Sequence, residues 1–478
     1  MQASSSAKVL VLLSGWAIAG WLLVSPRVEP ISISLAPGPA ADGAGDEVEQ
    51  ESGLAKAFRT WSEDPRLAGA AVGFCVLGPE GEELYLSPLA ETAFCPASAL
   101  KTMTTAAALD LLGPEFRFET ALAAAAAPGT DGVLAGDLVL LGGGDPTLAG
   151  EDLDALATQL VKQGLKRVEG RVIPDASVFP PQAVSDHWNW GDIGNAYGAG
   201  AYGLNVNHNR LEISFQPGER TGSPARLLET PVTGKETRWI NRVSTGPTGS
   251  GDQVVVYSEP YGSTVTLQGT VPLGGNPFTV TGALPDPPAA AAGLMTLALK
   301  RAGVSVAGRE IPASPPALVK LATHRSAPLA EVIGHLHRTS DNLEAQCLFL
   351  TIGRQEKKQA AEALRRYWEK QGVFFKGLRL IDGSGLARAT MIRPIDLARI
   401  NHIARLGPHG ARFRDSLSTY LDGKVRAKLG AMSGVKTEVG FLTLPNGKVL
   451  TYALMANGLD PALDYWPLRE SLLEAVSR

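Results

Sequence analysis

Ser98 and Lys101 stand three residues apart in Pro96-Ala97-Ser98-Ala99-Leu100-Lys101, just ahead of the apolar run Thr102 to Leu112. Proline and small residues suit a helix start, and a spacing of three on a helix puts the serine hydroxyl and the lysine amine on one face. A serine hydroxyl is a poor nucleophile at its own pKa. An amine that burial keeps neutral can take its proton, so S-x-x-K fits a serine nucleophile with a lysine base. The same spacing also fits a helix-start serine beside a solvated lysine, so other groups must decide.

Ser340-Asp341-Asn342 supplies a second pattern, S-x-N, at a turn where both outer side chains can point into one cleft. Helix capping competes with that reading, because Ser, Asp and Asn are all good N-caps. A third element would be a Lys-Thr-Gly on a strand beside the cleft. Lys428-Leu429-Gly430 offers it with leucine in the threonine position, and Lys436-Thr437-Glu438 offers it without the glycine. His335 and His337 lie two apart, a spacing that points them away from each other on a helix, so no metal site is expected on that pair. The seven histidines show no H-E-x-x-H and no partner pattern for a Ser-His-Asp triad, and Gly383-Ser384-Gly385 is not G-x-S-x-G. A lysine base remains, with no metal or cofactor required.

Several elements must position these groups. Leu54, Phe58 and Trp61 mark an amphipathic helix over Gly53 to Glu63, followed by strands Ala70 to Leu77 and Glu83 to Leu86. After Gly113-Pro114 the chain turns to short strands: Phe118 to Ala123, Gly132 to Leu141 and Arg167 to Pro174, interrupted by a helix from Asp152 to Gln163. Gly142-Gly143-Gly144-Asp145-Pro146 lacks both phosphate-loop orders and reads as a tight strand exit. Strands continue through 204–283, and a helix follows at Ala289 to Gly303. Helical patterns then cover Leu329 to Ile352, Gln355 to Gly372 and Ile392 to Leu406. Lys448 to Asn457 is a strand and Leu468 to Val476 a helix. Two strands and a helix cannot bury their own faces, so the N-terminal piece must pack with the C-terminal elements.

At 478 residues the chain is long enough for about three domains. A net charge of −4 and the lack of any basic block argue against a nucleic-acid partner. The three cysteines, Cys75, Cys95 and Cys347, have no C-x-x-C spacing, and Cys75 could pair with Cys95 in an oxidising compartment. Lys8 followed by the apolar run Val9 to Val24 has the layout of an export segment, either a cleaved signal or a retained membrane anchor. Sixteen helical residues reach only about 24 Å against a hydrocarbon core of about 30 Å. The Pro/Ala/Gly and acidic stretch that follows reads as a linker, giving 1–27 as signal or anchor and 28–51 as linker.

Taken together, the three patterns resemble the class C penicillin-binding proteins, a D-alanyl-D-alanine carboxypeptidase/endopeptidase family whose catalytic domain carries a large insertion. The likeness covers nearly everything from about residue 53 onward. Gly136-Asp137-Leu138 through Gly144-Asp145-Pro146-Thr147-Leu148 is similar to a strand and turn of the family's insertion. Trp188-Asn189-Trp190-Gly191-Asp192 resembles its Trp-x-Trp-x-Asp, and Asp382-Gly383-Ser384-Gly385-Leu386-Ala387-Arg388 its Asp-Gly-Ser-Gly-Leu-Ser-Arg. Aligning Gly440-Phe441 with the family's Gly-Tyr selects Lys428 over Lys436.

The resemblance implies an exported α/β (α+β) fold of the penicillin-binding/β-lactamase-like type, an antiparallel sheet with helices on both faces. It implies a catalytic domain of residues 52–112 and 317–478, and an insertion of residues 113–316 in two β-rich parts, 113–207 with 265–316, and 208–264. The substrate would be peptidoglycan stem peptides, and β-lactam antibiotics would be covalent inhibitors. Ser98 would attack the D-Ala carbonyl with Lys101 as base. Ser340 would relay a proton to the leaving amine, Asn342 would hydrogen-bond the peptide, and Lys428 would place charge near the leaving carboxylate. The Ser98 N–H and one from the strand beyond Lys428 would form the oxyanion hole. Asp192, Tyr197 and Arg388 would contact the stem peptide's side chain. Leu429 and Ala431 depart from the family, whose hydroxyls beside Gly430 help hold the terminal carboxylate. Leu429 would make an apolar wall there and shift preference towards mid-chain cross-links. A wall-peptide scaffold with weakened catalysis and a serine β-lactamase are the alternatives; the insertion speaks against the second.

Overall fold

The computed structural model describes residues 53–228, 236–310 and 317–477. The export-like run and the linker lie outside the described residues.

Six strands form the principal sheet, in the order Ser418–Tyr420, Val425–Met432, Val435–Thr443, Val449–Asn457, Ala71–Leu77, Glu83–Leu86, all neighbours antiparallel. The N-terminal hairpin is thus completed by the last third of the chain. Side chains of a strand alternate between faces, and here both faces are apolar. Cys75, Leu77, Val439, Phe441, Ala453 and Met455 point to one side, where they pack with Met103, Ile333, Leu348 and Ile395 from the helices there. Phe74, Val76, Val425, Leu442, Tyr452 and Leu454 point to the other. That second face is covered by helices Gly53–Ser62 and Trp466–Val476 through Phe58, Trp61, Leu468 and Leu472. Fully burying one such side chain contributes roughly 1.5–3 kcal/mol, so the helices are held by many such terms rather than by their own propensity.

Helix Lys101–Leu112 is buried from Lys101 to Leu109, all round rather than along one stripe. Its threonines are tolerated because each hydroxyl donates to a backbone carbonyl: Thr102 to Ala99 (2.9 Å), Thr104 to Gly383 (2.8 Å) and Thr105 to Lys101 (2.8 Å).

The single helix expected over Leu329 to Ile352 is two, Leu329–Thr339 and Asn342–Glu356. Ser340 breaks it with φ 59° and ψ 34°, and Asp341 caps the second helix by accepting from the Glu344 N–H at 2.9 Å. Buried positions continue on both sides of the break (Val332, Ile333 and Leu336, then Leu343, Leu348 and Ile352), so periodicity alone does not reveal it.

Between the two parts of this body lies the inserted region. Strands Val319–Arg325, Glu119–Ala124, Leu138–Leu141 and Val172–Asp175 form one sheet. Val319–Arg325, beyond the 316/317 boundary read from sequence, therefore pairs with the insertion. The strand expected over Arg167 to Pro174 is split: Arg167–Val168 joins a small parallel sheet with Val133–Leu134 and Ser305–Val306, while Val172–Asp175 pairs with Leu138–Leu141. Thr264–Pro272 pairs with Arg238–Gly246 and with Gln253–Ser258, so the division expected at 264/265 would separate this strand from both its partners and is not a domain boundary in the structure. Leu122, Leu153, Ile213, Val256, Leu267 and Met295 belong to one contiguous core.

All three cysteines are buried free thiols, so the Cys75–Cys95 bridge is not formed. Cys75 packs into the core beside the sheet, where burial pushes its thiol up to about 12.

Candidate active site

Ser98 lies in a tight turn, Ala97–Leu100, that leads directly into helix Lys101–Leu112. Ala97 holds φ at 45°, an uncommon conformation for a residue with a Cβ, and it presents the serine at the rim of a cleft. Two neighbours require glycine. A Cβ on Gly385, whose φ is +79°, would lie 1.9 Å from the Ala97 carbonyl. One on Gly430 would lie 2.3 Å from Thr437 Oγ1 and 2.8 Å from the Ser98 nitrogen. The strand carrying Lys428 thus runs against the nucleophile turn, and Thr437 fastens it by donating to the Pro96 carbonyl at 2.5 Å.

Lys101 is fully buried, with three partners around its Nζ: Ser98 Oγ at 2.8 Å, Asn342 Oδ1 at 2.6 Å and the Ser384 carbonyl at 2.8 Å. Burial lowers its pKa well below the usual lysine range, and the positive charge of Lys428 lowers it further. The geometry then fixes the direction of proton transfer. A neutral amine has two N–H groups and one lone pair, and the two carbonyl oxygens can only accept. They hold both hydrogens and leave the lone pair facing Ser98, whose hydroxyl becomes the donor.

The Ser384 carbonyl is set by a loop built on Asp382. This fully buried carboxylate accepts from the N–H groups of Ser384 (3.2 Å), Gly385 (2.7 Å) and Ala387 (2.8 Å), and from Trp188 Nε1 of the insertion at 2.6 Å. The sequence singles out this loop only by resemblance. A backbone carbonyl acting on Lys101 leaves no mark in residue types.

Ser340 and Asn342 flank the helix break and point into the cleft, while Asp341 between them caps. Capping thus falls to Asp341 alone, and Ser340 and Asn342 both line the cleft. Asn342 donates through Nδ2 to the Tyr197 carbonyl at 2.8 Å, which fixes Oδ1 towards Lys101. Lys428 Nζ donates to Ser340 Oγ and to the Leu429 carbonyl, both at 2.9 Å, and burial lowers its pKa to about 8. Lys436 has no such contact and sits opposite Ala431 in the hairpin. His337, fully buried, touches Thr105 Oγ1 and Ser416 Oγ at 3.0 and 2.8 Å; burial and then the positive charge of Lys428 lower its pKa, favouring neutral imidazole.

The cleft encloses about 450 Å³ and is lined by Ser98, Ser340 and Asn342 together with Asp192, Tyr197 and Arg388. Tyr197 donates to Asp192 Oδ1 at 3.0 Å, its own pKa pushed up to about 12 by burial and by that carboxylate. Arg388 donates to the Ser433 carbonyl at 3.1 Å. From the strand end, Ala431, Met432 and Ser433 reach the lining. Leu429 is half-buried and is not among the lining residues, so the apolar wall expected of it is not part of this cleft. Its neighbours Lys428 and Gly430 both face the nucleophile side, and strand alternation turns the residue between them away.

Among relatives, the chain is 32% identical over 472 residues to the D-alanyl-D-alanine carboxypeptidase of Actinomadura sp. (strain R39), covering 91% of this chain and 86% of that protein. It is 27% identical over 419 residues to the D-alanyl-D-alanine carboxypeptidase DacB of Haemophilus influenzae, covering 82% and 86%. The solved structure of penicillin binding protein 4 (dacB) from Haemophilus influenzae superposes with a TM-score of 0.76 at 23% identity, over 87% of this chain and 98% of that one. That likeness speaks to the fold, which is of the penicillin-binding/β-lactamase-like type. Residues 54–418 and 401–465 match the D-Ala-D-Ala carboxypeptidase 3 (S13) family, and with nearly all of the described chain inside that match, the protein belongs to this family of class C penicillin-binding proteins.

Proposed function

We propose that this chain is a serine-type D-alanyl-D-alanine carboxypeptidase that acts on peptidoglycan stem peptides outside the cytoplasmic membrane and is acylated by β-lactam antibiotics. The observation that carries the proposal is the buried Lys101 amine, held by Asn342 Oδ1 and the Ser384 carbonyl with its third direction on Ser98 Oγ. Such an amine is a general base for the hydroxyl beside it.

In the reaction Ser98 Oγ gives its proton to Lys101 and bonds to the carbonyl carbon of the penultimate D-Ala. The oxyanion is held by the Ser98 N–H and an N–H of the strand that Gly430 brings close. Ser340, beside the Lys428 ammonium, relays the proton that Lys101 took from Ser98 to the departing D-Ala nitrogen as the C–N bond breaks, which leaves Lys101 neutral again. Water then attacks the acyl-enzyme and gives a proton to Lys101, which passes it to Ser98 Oγ as the acyl C–O bond breaks and the shortened peptide leaves. Lys428 carries the positive charge that the leaving D-Ala carboxylate needs. Asp192, Tyr197 and Arg388, which line the same cleft, receive the stem peptide's side chain. A D-Ala amide within a cross-link offers the same carbonyl, so endopeptidase cleavage needs no further group. A β-lactam ring offers a strained amide to the same hydroxyl.

The test is release of free D-Ala from a peptide ending in D-Ala-D-Ala. Wild type should release it and Ser98→Ala should not. A folded wild-type protein that binds penicillin yet releases no D-Ala and cuts no cross-link would leave the scaffold reading in its place.

A further inference from the structure

Three side chains that the chemistry at Ser98 does not use meet on the other side of the Ser340 turn. His208 belongs to the short turn Asn207–Asn209 of the insertion, His335 to helix Leu329–Thr339 and Glu344 to helix Asn342–Glu356. Glu344 is completely buried. Its Oε1 faces His335 Nδ1 at 2.7 Å and His208 Nε2 at 3.1 Å, while its Oε2 is buried with no partner at all. One oxygen with two nitrogens and the other with none is a poor arrangement for a buried carboxylate, unless something else belongs among them. His208 is moreover held at φ 52°, a left-handed conformation that costs energy and brings its ring to 5.6 Å from that of His335.

We propose that His208, His335 and Glu344 form a binding site for a single divalent transition-metal ion of the Zn2+ class. The three ligand atoms lie within 4.8 Å of one another. Metal–ligand bonds of about 2.0–2.2 Å in tetrahedral geometry put neighbouring ligands roughly 3.3–3.5 Å apart, so small side-chain shifts would admit the ion. Two imidazoles and one carboxylate suit Zn2+ and its neighbours; Ca2+ and Mg2+ seek six or more oxygens. The fourth position opens on a cavity of about 720 Å³, in which Arg338 and Arg412 are balanced by Glu331 and Asp415. None of the residues lining this cavity lines the Ser98 cleft. His335 alone gave no such site in sequence, because its partners come from another helix and from the insertion.

The three ligands come from the insertion and from both helices that flank Ser340. A bound ion therefore clamps the insertion to the S-x-N turn. The test uses the purified full chain, stripped with a chelator and titrated with Zn2+, and with Co2+ as a spectroscopic probe. One equivalent should bind. Co2+ should give the intense visible bands of a four-coordinate site, and Zn2+ should raise the unfolding temperature. Loss of an outer-sphere partner already costs about 10–100-fold in metal affinity, so His335→Ala and His208→Ala should each weaken binding at least tenfold and remove the thermal shift. Glu344→Gln keeps the shape of the buried side chain and should do the same. Circular dichroism and a cooperative unfolding transition establish that each variant is folded. Absence of stoichiometric binding to wild type, or equal binding by folded histidine variants, overturns the proposal, and neither readout depends on the reaction at Ser98.

Discussion

Replacing Lys101 while keeping Ser98 separates the base from the nucleophile. General-base catalysis is worth about 10²–10⁴-fold, so Lys101→Ala should slow acylation by penicillin by that factor, measured by stopped-flow or quenched mass spectrometry. Lys101→Arg should be no better, because a guanidinium cannot give up its proton at working pH. Equal acylation rates in wild type and Lys101→Ala would exclude the lysine as base. The two lysines also set opposite pH limits. Lys101 must be neutral, and since its pKa is low in the folded protein, acylation should fade only as pH falls towards that depressed value. Lys428 must be charged, and it loses its proton as pH rises through about 8. Losing a charge-assisted hydrogen bond costs roughly 1.5–3 kcal/mol, so KM for a D-Ala-terminated peptide should rise about tenfold or more above that pH, with kcat changing less. A KM flat across that range would remove Lys428 from carboxylate recognition. Ser98, Lys101, Ser340 and Asn342 were legible in sequence from their types and spacing, whereas Lys428 was separated from Lys436 only through the family resemblance. The Ser384 carbonyl was not, since any residue has one, and Leu429 shows that a slot matched by alignment need not place its side chain in the cleft.

At the scale of elements, the close packing of the Lys428 strand against the nucleophile turn rests on Gly430. Gly430→Ala puts a methyl 2.8 Å from the Ser98 nitrogen, against backbone that cannot move aside. Overpacking of this kind costs about 1–3 kcal/mol of stability, against the usual net stability of about 5–15 kcal/mol. Displacing the oxyanion-hole donors by even a fraction of an ångström should slow acylation by roughly 10²-fold or more. The variant should therefore unfold at moderately lower urea while losing nearly all acylation; full activity would show that the strand does not hold the oxyanion. The elements themselves were mostly legible within a few residues. One exception is the strand expected over Arg167 to Pro174, which is split between two sheets; another is the break at Ser340, where the apolar stripe runs through and only the left-handed backbone and the Asp341 cap stop the helix. That break aims Ser340 at Lys428.

Across the whole molecule, the catalytic body and the insertion meet at single polar links as well as apolar ones. Trp188 Nε1 donates to Asp382, which shapes the loop whose carbonyl holds Lys101, and the Tyr197 carbonyl holds Asn342. Trp188→Phe keeps an aromatic ring, though a smaller one, and deletes the donor, leaving a buried carboxylate one partner short at a cost of about 1–3 kcal/mol. Its urea midpoint should fall and acylation should slow, although Trp188 touches no substrate; no change in either would mean the insertion does not support the site. The sequence announced that the two terminal parts must share one sheet, because neither could bury its faces alone. It did not show how the insertion is divided, since which strands pair depends on contacts between distant segments: Val319–Arg325 joins Glu119–Ala124, and Thr264–Pro272 joins Arg238–Gly246. The central claim is that Ser98, activated in this assembly, forms the acyl-enzyme. Intact-protein mass spectrometry after benzylpenicillin tests it most directly: wild type should gain one penicilloyl mass, mapped to the peptide carrying Ser98, and Ser98→Ala should gain none, whereas an adduct that persists in Ser98→Ala would contradict the account.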